Sequence, residues 1–141
     1  MKKFLLTVTY VFLLTACNQD SWKESSTFES GSYMMIGKKD KIGFIYDNSE
    51  TDQFFPDKEN KYMWHVWGSD VANKILRVEA VLENTSEPLH LFEARLSGTP
   101  HNGADAVTPS SMSLPKPGMW KLNAYVDEKL FGSVFVKVHK K

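Results

Sequence analysis

A second cysteine is missing from this chain. Cys17 stands alone among 141 residues, so no internal disulfide can form and no cluster of thiolates can hold zinc. An excess of either charge is missing too: 17 basic groups face 17 acidic ones, which leaves no electrostatic footprint for nucleic acid. Neither a Gly-x-x-x-x-Gly-Lys phosphate loop nor a Gly-x-Ser-x-Gly elbow occurs, so Ser110 and Ser111 have no catalytic setting. No window carries a helical stripe of useful length. What the chain does hold is aromatic residues, 13% of the total within a hydrophobic share of 42%, which excludes a disordered polypeptide. Its length suits one domain.

The most specific signal lies at the start. Lys2 and Lys3 precede an uncharged apolar run from Phe4 to Leu14, long enough for a signal-peptide core and too short to cross a bilayer alone. Leu14-Thr15-Ala16-Cys17 follows. With small residues before the cysteine, this arrangement resembles the lipobox of bacterial lipoproteins; an ordinary secretory signal with an incidental cysteine is the alternative. The resemblance implies cleavage before Cys17 and diacylation of its sulfur, and two acyl chains anchor stably where one is marginal. The expected organisation is a signal peptide over 1–16, lipidated Cys17 with a flexible tether over 17–32, and one domain over 33–141, on the extracytoplasmic face of the cell membrane. Removing 16 of the 141 residues leaves 125, and losing Lys2 and Lys3 leaves 15 basic groups against 17 acidic ones, a net of −2. The cysteine then serves as a lipid attachment point rather than a nucleophile.

From Tyr33 onward, short apolar runs alternate with turn signals. The spacing predicts seven strands, near Tyr33–Ile36, Ile42–Tyr46, Tyr62–Trp67, Ile75–Leu82, Leu89–Leu96, Trp120–Val126 and Phe131–Val138. In the sixth, Trp120, Leu122, Ala124 and Val126 share one face while Lys121 and Asn123 share the other, the mark of a half-buried antiparallel strand. Asp127-Glu128-Lys129 should turn it into a hairpin with the last strand. The expected fold is all-β, an immunoglobulin-like antiparallel sandwich, with an eight-stranded barrel as the alternative. Two long connections, 47–61 and 97–119, fit the crossovers of a Greek key.

The first connection holds Asp47, Glu50, Asp52, Asp57 and Glu59. Its spacing is that of a solvated acidic loop rather than an EF-hand. Phe54 and Phe55 should pin it to the core. The second holds His101-Asn102-Gly103-Ala104-Asp105, and long connections of this kind are often functional. His101 and Asp105, with Trp64, His65 and Trp67 of the third strand, are the candidate ligand-binding residues. A packed or rim position is the plainer account of His65. No cofactor and no catalytic residue is nominated.

Gly43-Phe44-Ile45-Tyr46, Tyr62-Met63-Trp64-His65-Val66-Trp67-Gly68, His101-Asn102-Gly103-Ala104-Asp105 and Gly118-Met119-Trp120-Lys121-Leu122 together resemble a family of small membrane-anchored lipoproteins of Bacillus-type Gram-positive bacteria. The resemblance implies attachment facing the cell wall and no particular activity. Leu114-Pro115-Lys116-Pro117-Gly118-Met119-Trp120-Lys121-Leu122 is similar to a strand of immunoglobulin-like modules that include proteinase inhibitors and copper-handling domains. Three readings follow. The chain is a non-enzymatic interaction module that contacts an envelope protein or a wall polymer; or a copper-binding domain; or an inhibitor of an envelope protease. For copper, Met34, Met35, Met63, Met112 and Met119 offer thioethers, and His65, His90, His101 and His139 offer imidazoles. Met63, His65 and His101 are the foremost metal candidates, because Met63 and His65 are two apart and share a strand face.

Overall fold

The computed structural model describes residues 21–141; the leader expected over 1–16 and the lipidation site Cys17 lie outside the described residues. Nine strands follow in chain order: β1 (Thr27–Ser30), β2 (Tyr33–Lys38), β3 (Ile42–Ile45), β4 (Asn60–Val66), β5 (Ile75–Leu82), β6 (Leu89–Arg95), β7 (Ala106–Met112), β8 (Gly118–Val126) and β9 (Lys129–Val138). They form a five-stranded sheet ordered β1-β2-β3-β4-β7 and a four-stranded sheet ordered β6-β5-β8-β9. All ladders are antiparallel. This is the all-β sandwich that the alternation predicts, consistent with an immunoglobulin-like architecture.

The period-two pattern builds the core directly. Trp120, Leu122, Ala124 and Val126 of β8 point inward beside Leu76, Val78 and Ala80 of β5 and Val134, Val136 and Val138 of β9. The opposing sheet supplies aromatics. The Phe44 ring meets Tyr46, Phe54, Tyr62 and Trp64 at centroid distances of 6.0, 6.3, 5.2 and 4.9 Å. Each such ring contributes about 2–3 kcal/mol by leaving water. Phe54 belongs to this cluster although it sits in a loop, as expected, and a parallel bridge to Val138 fixes it there.

Two strands were hidden from the pattern. Strand β7 lies within the connection expected over 97–119; its inward set is Ala106, Thr108, Ser110 and Met112, small or polar apart from Met112, and Pro109 interrupts it. A sheet accepts proline on an edge strand, and β7 is the outer strand of its sheet. Strand β1 lies within the span expected as tether. Ser25 N–H donates to the Phe135 carbonyl at 2.9 Å and Phe135 N–H returns a bond to Ser25 Oγ at 2.8 Å. Gly37 N–H then donates to Ser26 at 3.1 Å. The segment 22–30 thus runs first along β9 of one sheet and then along β2 of the other, covering strand edges that would otherwise invite pairing. The connection 47–61 also departs from expectation: it joins neighbouring β3 and β4 within one sheet, whereas the crossings between sheets are made by 67–74, 96–105 and 113–117.

The β8–β9 hairpin turns on Asp127 and Glu128, both at positive φ (46° and 66°). This is the backbone of a type I′ turn, whose twist matches the strands. Asp127 earns the position with its carboxylate, which accepts Ile75 N–H at 2.9 Å. The strand registers gather the connections at two ends. Residues 39–41, 67–74, 97–105 and 127–128 share one; 46–59, 83–88, 113–117 and 139–141 share the other.

Candidate functional site

His65 pairs with Gly43 and Val107 across the five-stranded sheet. Tyr62, Trp64 and Val66 take the inward positions of β4, so His65 faces away from the core. It is nonetheless fully buried. Part of the reason is loop 97–105, which folds back over this face. A buried imidazole must find partners, and both nitrogens do: Nδ1 lies 3.0 Å from the Met63 carbonyl oxygen and Nε2 lies 3.0 Å from Asn102 Nδ2. A carbonyl only accepts and an amide NH2 only donates. The ring is therefore the neutral tautomer with its proton on Nδ1, and burial first, then the neighbouring His101, holds its pKa below the ordinary value.

Asn102 is itself fixed. It adopts a φ of 52°, a left-handed conformation that asparagine tolerates better than most residues. Its carbonyl accepts Ser30 Oγ–H at 2.6 Å. Trp67 Nε1–H donates to the next carbonyl, Gly103, at 2.7 Å, and Asp105 Oδ2 accepts Gly68 N–H at 2.7 Å. His101 and Ala104 exchange backbone bonds of 3.1 and 2.8 Å. Phe28 of β1 completes the brace by packing on Trp67 at 5.9 Å. Its ring edge comes within 3.1 Å of where a Cβ on Gly43 would stand, so a glycine at 43 makes room for it.

The candidate residues are thus partly gathered. His65, Trp67 and Asp105 belong to one brace through loop 97–105. Trp64 does not: it points into the core, where its Nε1 has no acceptor among the described residues. His101 is exposed beside Thr99 Oγ1, 3.4 Å from its Nε2. Asn102, Ser30 and Phe28 are participants that the sequence reading missed; the Asn102-Gly103 dipeptide was the available signal, since such pairs mark turns that need positive φ.

The arrangement leaves little for chemistry. Both His65 nitrogens are engaged, so the ring offers neither a free base nor a ligand. Met63 shares the outward face with His65 as the period requires, but Met35 and Met112 are buried and His139 packs near Phe55 at 5.9 Å. Among the described residues no group of three or more His, Cys, Asp or Glu is placed to hold a metal ion. The copper reading therefore gains no support. Nor does loop 97–105 extend as an inhibitor's inserting segment would; it closes on itself through the His101–Ala104 bridge.

The acidic connection is ordered by a cation of its own. Lys58 Nζ donates to the carbonyls of Glu50 and Thr51 at 2.9 Å each and of Gln53 at 3.4 Å. Tyr62 Oη–H adds a bond to the Asp52 carbonyl at 2.6 Å. Asp47 accepts Ser49 N–H at 2.9 Å and is held below the usual carboxylate range by Ser49, while partial burial pushes Asp52 up. The remaining clefts are shallow. One of about 360 Å³ is lined by Leu82, Pro88, Leu89, Pro115 and Trp120, at the end opposite loop 97–105.

Fold and brace together define an all-β sandwich domain whose described residues assemble a hydrogen-bonded loop platform. Comparison with known proteins adds the family. The chain belongs to the family described as a domain of unknown function, DUF4871, whose model matches residues 11–136. Among solved structures it is similar to a protein from Bacillus anthracis described as a candidate lipoprotein, with 23% identity and a TM-score of 0.63, over 91% of this chain and 94% of that one. A superoxide reductase (neelaredoxin) from Ignicoccus hospitalis aligns at 9% identity and a TM-score of 0.46, over 72% of this chain and 80% of that one. No curated protein matches.

Proposed function

We propose that this protein is a lipid-anchored, extracytoplasmic binding module of the cell envelope, held through Cys17 and presenting loop 97–105 to an envelope protein or a wall polymer. The brace around His65 is the observation that carries the binding role. Its buried polar groups are spent on one another, and the result is a preformed loop with His101 and Asp105 exposed on its surface. A loop already ordered loses less entropy when it binds. The apolar run before Leu14-Thr15-Ala16-Cys17 supports the anchor, and the similar Bacillus anthracis structure is itself described as a candidate lipoprotein.

Feeding cells an alkyne fatty acid should label the mature protein and place it in the membrane fraction. Cys17→Ser should abolish the label and release the protein from that fraction. Retention of the variant with no label in either form would refute the anchor. For the binding role, a photo-crosslinking residue placed at His101 should trap a discrete envelope component in living cells, whereas the same residue at exposed Glu93, on β6 of the four-stranded sheet, should not. Absence of any adduct at His101 in folded protein would refute the presenting role of the loop.

A further inference from the structure

The chain joins the domain at a defined place. Trp22 packs against Phe135 with ring centroids 5.5 Å apart, and its backbone N–H points at Glu83 Oε1, 3.4 Å away. Phe135 pairs with Lys121, and Glu83 directly follows β5. Residue 22 is thereby fastened to the four-stranded sheet toward the end that carries 83–88, 113–117 and the C-terminal residues. Four peptide steps separate Cys17 from Ser21, and however arranged they span at most about 14 Å. A lipid on Cys17 cannot let this end drift far from the bilayer.

Within this end, lysines form a local strip. Lys137 and Lys140 flank a shallow depression with Pro117, Gly118 and His139, and Lys116 precedes it. All three lysines are exposed. Glu24 lies close enough to this strip to feel His139 and Lys137. The acids of 46–59 and 83–88 share this end outside the strip, with Lys141 beside Glu50 and Asp57. We propose that this end of the sandwich is a membrane-contacting surface on which Lys116, Lys137 and Lys140 rest against anionic lipid headgroups. The inference depends on the lipid anchor at Cys17. One weak electrostatic contact becomes effective when a short linker holds it at high local concentration, and an acyl anchor combined with basic residues is a recognised pair of membrane signals. Strands β8 and β9, about 30 Å long at 3.3 Å per residue, then carry loop 97–105 outward.

The test uses the chain from Cys17 to Lys141, coupled through the Cys17 thiol to a maleimide lipid in vesicles of phosphatidylcholine, with or without phosphatidylglycerol. Lysine acylation by a water-soluble reagent is followed site by site by mass spectrometry. Lys116, Lys137 and Lys140 should react about 5-fold more slowly on the anionic vesicles, with Lys74 and Lys129 unchanged, and salt should erase the difference because it screens such contacts. A Lys137→Glu/Lys140→Glu variant should lose the protection at Lys116 while keeping its melting temperature. Equal rates at both ends, or equal protection on neutral vesicles, would overturn the proposal. Chemical coupling separates the two claims: an unlipidated Cys17 in cells defeats the anchor, whereas unprotected lysines on coupled vesicles defeat the contact.

Discussion

Asn102→Asp should reverse the pH dependence of this domain's stability. In the native protein, Asn102 Nδ2–H donates to the lone pair on His65 Nε2 across 3.0 Å, and burial depresses the His65 pKa. The unfolded chain binds its proton near the ordinary histidine value of 6.5 and the folded chain does not. Stability is therefore complete above that value and falls as pH drops below it, by up to about 1.4 kcal/mol per pH unit. Aspartate tolerates the φ of 52° as asparagine does, so the substitution changes chiefly one donor into an acceptor. A carboxylate at that distance favours imidazolium, moving the pKa upward by about 1–3 units. Once the shift carries the folded pKa above the unfolded one, stability is whole at low pH and is lost as pH rises through the folded value. At high pH two acceptors confront each other in a buried place, which costs about 1–3 kcal/mol. Thermal melts of both proteins between pH 5 and 8 should slope in opposite directions, and NMR titration of the His65 Cε1 proton should show the matching shift. If the variant melts with the native slope, or its His65 still titrates below the ordinary value, the assigned tautomer and the brace built on it are wrong.

Two further substitutions examine other parts of the fold. Lys58→Met retains the stem of the side chain but removes a cation that three carbonyls share; the loss should be about 1.5–3 kcal/mol, with hydrogen exchange quickening across 47–55 and little change at loop 97–105. Tyr46→Phe deletes a buried hydroxyl that has no partner among the described residues. Relief of that desolvation should raise stability by about 1 kcal/mol, seen as a melting temperature some 3 to 6 °C higher, and a lower melting temperature would show that the hydroxyl is bonded.

Strands that bury strong alternating side chains were legible in the sequence, β5 and β8 most clearly, because their inward positions are all apolar and their outward ones polar. Strand β7 was not, since its inward positions are filled by alanine, threonine and serine, which carry almost no hydrophobic signal. Ser110 lies inside only because its hydroxyl donates to the Tyr62 carbonyl at 2.8 Å, a fact no period records. Strand β1 looks like tether for a similar reason: Thr27-Phe28-Glu29-Ser30 holds one apolar side chain and no fully buried position, and the Phe135 backbone that binds Ser25 just before it is far along the chain. The two faces of β4 explain the mixed outcome at the candidate site. Trp64 and His65 are neighbours in sequence, and alternation alone sends them to opposite sides of the sheet. What alternation could not show is that the outward side is also buried, because that burial comes from loop 97–105 and β1.

The mutual bonds of Ser25 and Phe135 join residues 110 positions apart, and this bears on how the chain acquires its shape. Contacts of such separation demand large loop closure and slow folding. In a polypeptide delivered across a membrane from its amino end, β1 can pair with β2 at once, but the strand edge that the stretch around Ser25 covers does not exist until β9 has emerged. Until then, β8 keeps an open edge. Completion of the sandwich is thus tied to arrival of the last ten or so residues, and premature truncation before Phe135 would leave an exposed strand edge ready to recruit another copy.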